Sequence, residues 1–255
     1  ADAGRKLVPV EGSGLGILAD PDYFYLRQGA DYVHTTSQHL AFLDSDEPLM
    51  VTKANRRSVV HRRVHMDYIG IKLFGPGGKV TGELRILGLF TSLSLATPHS
   101  DVPIIRRKLA QVIKQSGLDP RSHAGKALMS ALDNYPREEM FQISAGELLE
   151  FATVISTLPD RPRVRVLPRI DRFDNFVSIL VYLPRDRFDS EVRGKIGEHL
   201  AERYEGRVSA FAPDFPEGEL ARVHFIIGRN GGPTPRPDRE ALESEINELS
   251  RSFAD

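Results

Sequence analysis

Asn175-Phe176-Val177-Ser178-Ile179-Leu180-Val181-Tyr182-Leu183 is the stretch on which the fold turns. It is short, rich in β-branched and aromatic residues, and followed by Pro184. Such a run reads as a strand, not a helix. Downstream, Asp189 to Tyr204 reads as a helix, weakened by the internal Gly194 and Gly197. Arg207 to Phe211 and Leu220 to Ile227 read as strands joined by Pro213 to Gly218. After Gly231-Gly232-Pro233 a helix starts near Pro237, with Leu242, Ile246, Leu249 and Phe253 as its apolar stripe. The order is β-α-β-β-α, one strand short of the ferredoxin-like plan β-α-β-β-α-β. The expectation is a truncated sheet whose closing strand was cut away or comes from another chain. The alternative is that the last helix opens a further domain.

Upstream, Leu158-Pro159-Asp160-Arg161-Pro162 reads as a boundary, and Arg163 to Leu167 as an extra strand. Before it, Leu49 to Thr52 is a short strand. Val59 to Phe74 and Val80 to Thr91 flank Gly75-Pro76-Gly77-Gly78, the pattern of an antiparallel hairpin. Three helices follow. Pro103 opens the first, Ile105, Leu109, Val112 and Ile113 line one face, and Gly117 closes it. The second covers Ser122 to Asn134 and stops at Tyr135-Pro136. The third starts at a capping box, Ser144 with Glu147, and runs to about Ser156. Strands followed by helices indicate an α+β class. The expected division is an arm over 1–22, made flexible by Gly12, Gly14 and Gly16, then an antiparallel sheet with packed helices over 23–158, and the ferredoxin-like domain over 159–255. Tyr23-Phe24-Tyr25-Leu26 is either a buried strand or an interface arm.

Composition narrows the chemistry. With 40% hydrophobic and 27% charged residues the chain can build an ordinary core. Its formal net charge of -1 gives little overall pull toward nucleic acid or acidic membranes. The absence of cysteine removes disulfides, thiolate metal sites and cysteine nucleophiles. No run approaches the roughly 18 apolar residues of a membrane span, and no secretory leader is read, so a cytoplasmic protein is expected. Because the chain starts at Ala1, it reads as processed or excised from something longer.

No complete catalytic constellation emerges. Gly12-Ser13-Gly14-Leu15-Gly16 lacks the strand, helix and glycine spacing of a dinucleotide loop. Gly125-Lys126-Ala127 has Pro120 where a phosphate loop needs glycine, and no Ser/Thr after the lysine. His61, Arg63, His65 and Asp67 share a strand face in this reading. Arg63 would repel a metal ion, and His61 and His65 would stand about 13 Å apart. A polar sheet face or an interface is the better reading. His99 with Ser92 or Ser94 lacks a nucleophile elbow. Arg56-Arg57, Arg62-Arg63 and Arg106-Arg107-Lys108 are basic clusters compatible with an RNA face, but interdomain ion pairing explains them better. Asp171-Arg172-Phe173-Asp174 recurs as Asp186-Arg187-Phe188-Asp189. The second copy stands at a helix start, where carboxylates cap backbone N–H groups.

Several words occur in order along the chain. They are Val64-His65-Met66-Asp67-Tyr68-Ile69-Gly70-Ile71-Lys72-Leu73-Phe74, Gly82-Glu83-Leu84-Arg85-Ile86-Leu87-Gly88-Leu89-Phe90, Ser122-His123-Ala124-Gly125-Lys126-Ala127-Leu128, Asn134-Tyr135-Pro136-Arg137, and Arg161-Pro162-Arg163-Val164-Arg165-Val166 through Asp171 to Phe188. Together they resemble the region before the catalytic domain of the bacterial large NAD-specific glutamate dehydrogenases. The resemblance implies ACT-like domains concerned with regulation and subunit contacts. It also implies that NAD and the catalytic residues belong to a part of the parent not present here. No catalytic, cofactor or metal residue is carried onto this chain. The expected partners are other domains and subunits, with no nucleic acid and no membrane. An amino-acid effector is expected, if anywhere, at the strand-to-helix turn of Pro184, Arg185, Asp186 and Asp189, where helix N–H groups face an incoming carboxylate. The competing readings are a stand-alone RNA- or protein-binding module and a metalloenzyme using His61, His65 and Asp67.

Overall fold

The computed structural model describes residues 7–28, 31–61, 63–172, 174–216, 218–229 and 232–251. Arg62, Phe173, Gly231 and Phe253, named above, lie outside them. The chain divides into two compact units, residues 1–95 and 96–255. The helices that the sequence reading grouped with the first sheet therefore make their contacts within the second unit.

In the first unit, β1 (Leu26–Gln28) pairs with β2 (Asp31–Val33). Helix α1 (Ser37–Asp44) precedes a three-stranded antiparallel sheet of β3 (Leu49–Arg57), β4 (His65–Phe74) and β5 (Val80–Gly88), in that order. The β4–β5 hairpin is the one expected around Gly75–Gly78, and Gly77 takes a φ of 75 that suits glycine. Strand β3 runs five residues past Thr52, where the sequence reading ended it, and β4 starts only at His65. Val59 and Val60 are loop residues, since β-branching raises strand propensity but cannot replace a pairing partner.

One face of this sheet is closed by α1. Lys72 donates to the Ser45 carbonyl at the end of α1 and lies 4.9 Å from the Phe42 ring centre. Fully buried His39 meets Tyr68 edge-on at 5.2 Å, and its Nδ1 is 2.9 Å from the Thr36 hydroxyl that caps α1. Beneath, Tyr68 donates to Glu83 at 2.5 Å. Arg85 binds Glu83 at 2.9 Å, the Tyr25 hydroxyl at 3.0 Å and the His34 carbonyl at 2.6 Å. Tyr25, from the aromatic run read as either a buried strand or an interface arm, is thus a buried core residue just before β1. Helix α2 (Ser92–Ala96) ends the segment.

In the second unit, α3 (Pro103–Ser116), α4 (His123–Asp133), α5 (Arg137–Gln142) and α6 (Ala145–Ser156) precede a four-stranded sheet. The expected caps are present: Gly117 at φ 65, Ser122 accepting from Gly125, and the Ser144–Glu147 box. Helix α5 was not read. It is too short to show periodicity, and its C-terminal carbonyls are held by Lys108, which bonds Met140 at 2.6 Å and Ile143 at 2.5 Å.

The sheet comprises β6 (Arg165–Ile170), β7 (Phe176–Pro184), β8 (Arg207–Asp214) and β9 (Leu220–Gly228), ordered β6-β7-β9-β8 and antiparallel throughout. This corrects the truncated sheet. Beside β7, where the ferredoxin-like plan puts its last strand, stands β6. The closing strand precedes the unit instead of following it. Pro168 sits in β6, and an edge strand tolerates proline because one row of its N–H groups has no ladder partner to serve. Helices α7 (Ser190–Arg203) and α8 (Arg239–Leu249) pack on one face over Val177, Ile179, Val181, Val223 and Phe225.

Two consequences are measurable. A Cβ on Gly125 would lie 2.0 Å from the Asp119 carbonyl oxygen, whereas one on Gly194 would meet nothing within 4 Å. Gly194→Ala is therefore expected to stabilise by about 0.5–1 kcal/mol, and Gly125→Ala to destabilise by about 1–3 kcal/mol, in urea melts. Burial and then Arg85 push the His39 imidazole down from 6.5 to about 3. The unfolded chain takes up this proton first, so the first unit loses stability as pH falls from 6.5 toward 3. His39→Phe should flatten that slope in near-ultraviolet circular dichroism of the buried tyrosines.

Candidate functional site

Strand β7 is buried from Phe176 to Leu183, so both faces of the sheet are covered. The second face carries Ser178, Leu180 and Tyr182 on β7, opposite Ile226, His224 and Arg222 on β9 and Arg169 and Leu167 on β6. Helix α5 brings Glu139 to it. Arg169 grips Glu139 with two parallel bonds, Nε to Oε2 at 2.7 Å and Nη2 to Oε1 at 3.0 Å, and reaches Gln142 at 3.2 Å. Arg169 is 4% exposed and Glu139 2%. At that depth the pair is tolerable only because every charge is matched.

Ser178 and His224 complete the cluster. The Ser178 hydroxyl is 2.8 Å from His224 Nε2, which is 3.8 Å from Glu139 Oε1. Burial raises the Glu139 carboxyl, but Arg169, His224 and Ser178 pull it down to about 2. Burial lowers His224, with Glu139 opposing, so the ring is neutral near pH 7. A serine, a histidine and a glutamate thus meet, but the serine and the glutamate both face Nε2 of the histidine. A base that activates a serine is oriented by its carboxylate through the other ring nitrogen, so the arrangement is not that of an activated nucleophile. The cluster joins α5 to the sheet. Two more contacts bind neighbouring helices: Arg222 of β9 donates to the Asn134 carbonyl at the end of α4, and Arg239 of α8 meets Glu150 of α6 at 3.1 Å.

At the turn singled out for an effector, the helix capping expected of the second D-R-F-D copy is present. The Asp189 carboxylate caps α7 through the Val192 N–H at 2.8 Å, so that part of the anion-binding end is already filled. Arg185 lies 5.1 Å from the Phe215 ring centre, and Arg187 bonds Asn247 at 3.3 Å. Pro184 ends β7 and Asp186 lies in the short turn after it. Of the other D-R-F-D copy, Asp171, Arg172 and Asp174 lie between β6 and β7, where Asp174 adopts φ 58 and accepts from the Thr234 N–H at 3.3 Å and from its hydroxyl. A cleft of about 280 Å³ opens there between Asp171, Arg172, Asp174, Thr234 and Arg236, two carboxylates against two guanidiniums.

The remaining candidates are scattered. His61 sits in a bend at φ 61, His65 contacts the Ala54 carbonyl at 3.0 Å, and Asp67 pairs with Lys53 at 2.6 Å and takes the Phe90 N–H. Among the described residues no group of three His, Asp or Glu is arranged to hold a metal ion. His99 lies 3.7 Å from Asp133. Lys126 extends from α4 behind Gly125. Gly12 and Gly16 take positive φ beside a short 3₁₀ turn, not at the start of a long helix. Among the described residues no helix is long and apolar enough to cross a membrane. Sequence reasoning missed Glu139, Arg169, Ser178 and His224. Their one local signal is a charged residue among the apolar residues of a strand, and nothing local links positions 139 and 169.

Glu139→Gln or Arg169→Met alone is expected to cost about 3–5 kcal/mol, because each strands a buried charge. The double variant Glu139→Leu with Arg169→Met should lose far less than the two singles together. Since Glu139 is depressed from 4.5 to about 2, its contribution is complete above pH 4.5 and disappears as pH falls toward 2. Chemical denaturation across that window checks both points.

Comparison with known proteins places this geometry. Residues 102–161 match the family described as glutamate dehydrogenase, helical motif 1, and residues 165–254 match glutamate dehydrogenase, ACT2 domain. The boundary between the two matches lies just before β6. The NAD-specific glutamate dehydrogenase of Pseudomonas aeruginosa is 36% identical over 257 aligned residues, and that of Halomonas elongata 34% over 255, each across 100% of this chain. The enzyme of that name from Mycobacterium tuberculosis is 28% identical over 83% of the chain. The chain spans 16% of the length of the first two relatives and 14% of the third. Residues 102–161 and 165–254 therefore belong to the helical motif 1 and ACT2 domain families of glutamate dehydrogenase, and the whole chain is similar to a single stretch of the NAD-specific enzymes that carry them.

Proposed function

We propose that the chain serves as a non-catalytic regulatory and assembly segment of an NAD-dependent glutamate dehydrogenase. In the complete enzyme L-glutamate, NAD and water would give 2-oxoglutarate, ammonia and NADH. The observation that carries this reading is the Arg169–Glu139 junction, which fastens the helical motif to the ACT2 sheet with charged side chains bonded to one another. Residues consumed in mutual pairing are poor at catalysis and good at fixing the relative position of two elements. The same reading puts the chain in the cytoplasm, in contact with other domains and subunits of its enzyme. It also makes the turn of Pro184, Arg185, Asp186 and Asp189 a place for an amino-acid effector. With Asp189 capping α7, the effector's carboxylate would be taken by the Arg185 side chain.

Mixing the purified chain with L-glutamate and NAD should produce no NADH absorbance, and any turnover by the chain alone would overturn the reading. Titration calorimetry with a panel of amino acids should give heat for at least one, diminished by Arg185→Ala. A panel without heat would remove the effector and leave assembly alone.

A further inference from the structure

The three-stranded sheet of the first unit covers its polar face and leaves its aliphatic face open. Strand register and alternation assign the side chains. Thr52, Tyr68, Lys72, Glu83 and Arg85 share the face closed by α1. The opposite face carries three rows that run straight across the strands: Val51, Ile69 and Ile86, then Leu49, Ile71 and Leu84, then Leu73 and Gly82. Two glycines bear out the assignment. A Cβ on Gly70 would strike Glu83 Oε1 at 2.0 Å, whereas one on Gly82 would meet Leu73 Cδ1 at 3.8 Å. Leu73 is 47% exposed, Leu84 51% and Ile86 48%, while Leu49, Val51, Ile69 and Ile71 are half-buried. An antiparallel sheet with one wet face normally turns its polar residues to water. Here the order is inverted, and the aliphatic face is one that folding has not finished burying.

The character of the face selects what covers it. The register shifts of these strands fall outside the three rows, between Lys53 and Arg57 and between Leu73 and Phe74, so the rows form a regular surface. No charged side chain stands in them. Where they end, Lys53 and Asp67 are bonded to each other at 2.6 Å. The one helix laid on the other face, α1, is anchored by Lys72 through the Ser45 carbonyl and by the Tyr68 ring against His39. The aliphatic face offers a helix no such anchor. What it complements is another flat aliphatic sheet.

We propose that this face packs on the same face of a second copy of the chain, as two sheets stacked about a two-fold axis. The inference rests on the assembly role proposed above and gives it a surface. A two-fold contact is self-complementary, so one patch serves both partners. Stacked sheets stand about 10 Å apart with their side chains interdigitated. Three strands by about six residues make a face of roughly 14 Å by 20 Å, about 300 Å² in plan. Two such faces cover about 600 Å², short of the roughly 1,600 Å² of a standard interface. The dimer formed through this face alone is therefore weak and concentration-dependent.

Sedimentation velocity on the 255-residue chain from about 1 to about 500 µM tests this, in a range suited to micromolar or weaker association. Circular dichroism confirms that each variant is folded. The chain should dimerise, and ammonium sulfate should strengthen the dimer, as for apolar contact. Ile86→Lys should weaken it at least tenfold. Leu84→Thr with Ile86→Thr, which keeps strand propensity, should also weaken it about tenfold. The chain has no cysteine, so Ile71→Cys with a short bifunctional thiol reagent should give covalent dimers, because the central strands of the two copies face each other. Dimers that form but do not crosslink at that position overturn the stacking, as does association unchanged by the Lys and Thr variants, and either result leaves assembly through another surface. A chain monomeric at every concentration overturns the proposal. So does a monomer that binds an apolar dye or an amphipathic helical peptide on this face, with binding lost in Ile86→Lys.

Discussion

The second unit is organised by one constraint: β7 is apolar on both faces, so neither face can be left to water. Helices α7 and α8 close one side with an ordinary hydrocarbon core. The other side mixes Leu180 and Tyr182 with Ser178, and its neighbours supply Arg169 and His224. A helix laid over that face must answer a buried guanidinium, and Glu139 of α5 does so. Lys108 then ties the far end of α5 back to α3. The helical motif is thus bound to the ACT2 sheet by directional bonds, which fix one orientation where apolar packing alone would allow several.

This division of labour bears on function. A buried ion pair adds little net stability compared with apolar side chains of the same shape, but it discriminates strongly against misplacement. An element that must transmit position gains from that discrimination. The first unit uses the same device on a smaller scale, with Arg85, Glu83, Tyr25 and Tyr68 sharing bonds beneath α1. In both units, charged residues in the middle of strands pair inward.

The caps, turns and amphipathic stripes were legible because their causes are local. Pro103, Gly117, Ser122 and the Ser144–Glu147 box act within one turn of helix, and the structure places each where the pattern puts it. The α+β class and the resemblance to the NAD-specific glutamate dehydrogenases were legible for the same reason: both rest on consecutive words of sequence. Short elements were not. Helix α5 has six residues and α1 eight, too few for a period to emerge. The β3–β4 boundary was misread because Val59 and Val60 favour strands intrinsically while their position denies them a partner.

The sequence by itself determined where most helices begin and end, that Asn175 to Leu183 is a strand, and which family the words resemble, since each of these depends on residues near one another along the chain. Tertiary structure alone decided that β6 closes the sheet in place of a later strand and that Glu139 answers Arg169. Pairing of strands and burial of charge are settled by proximity in space. Segments 30 residues apart carry no mark of each other until the chain has folded.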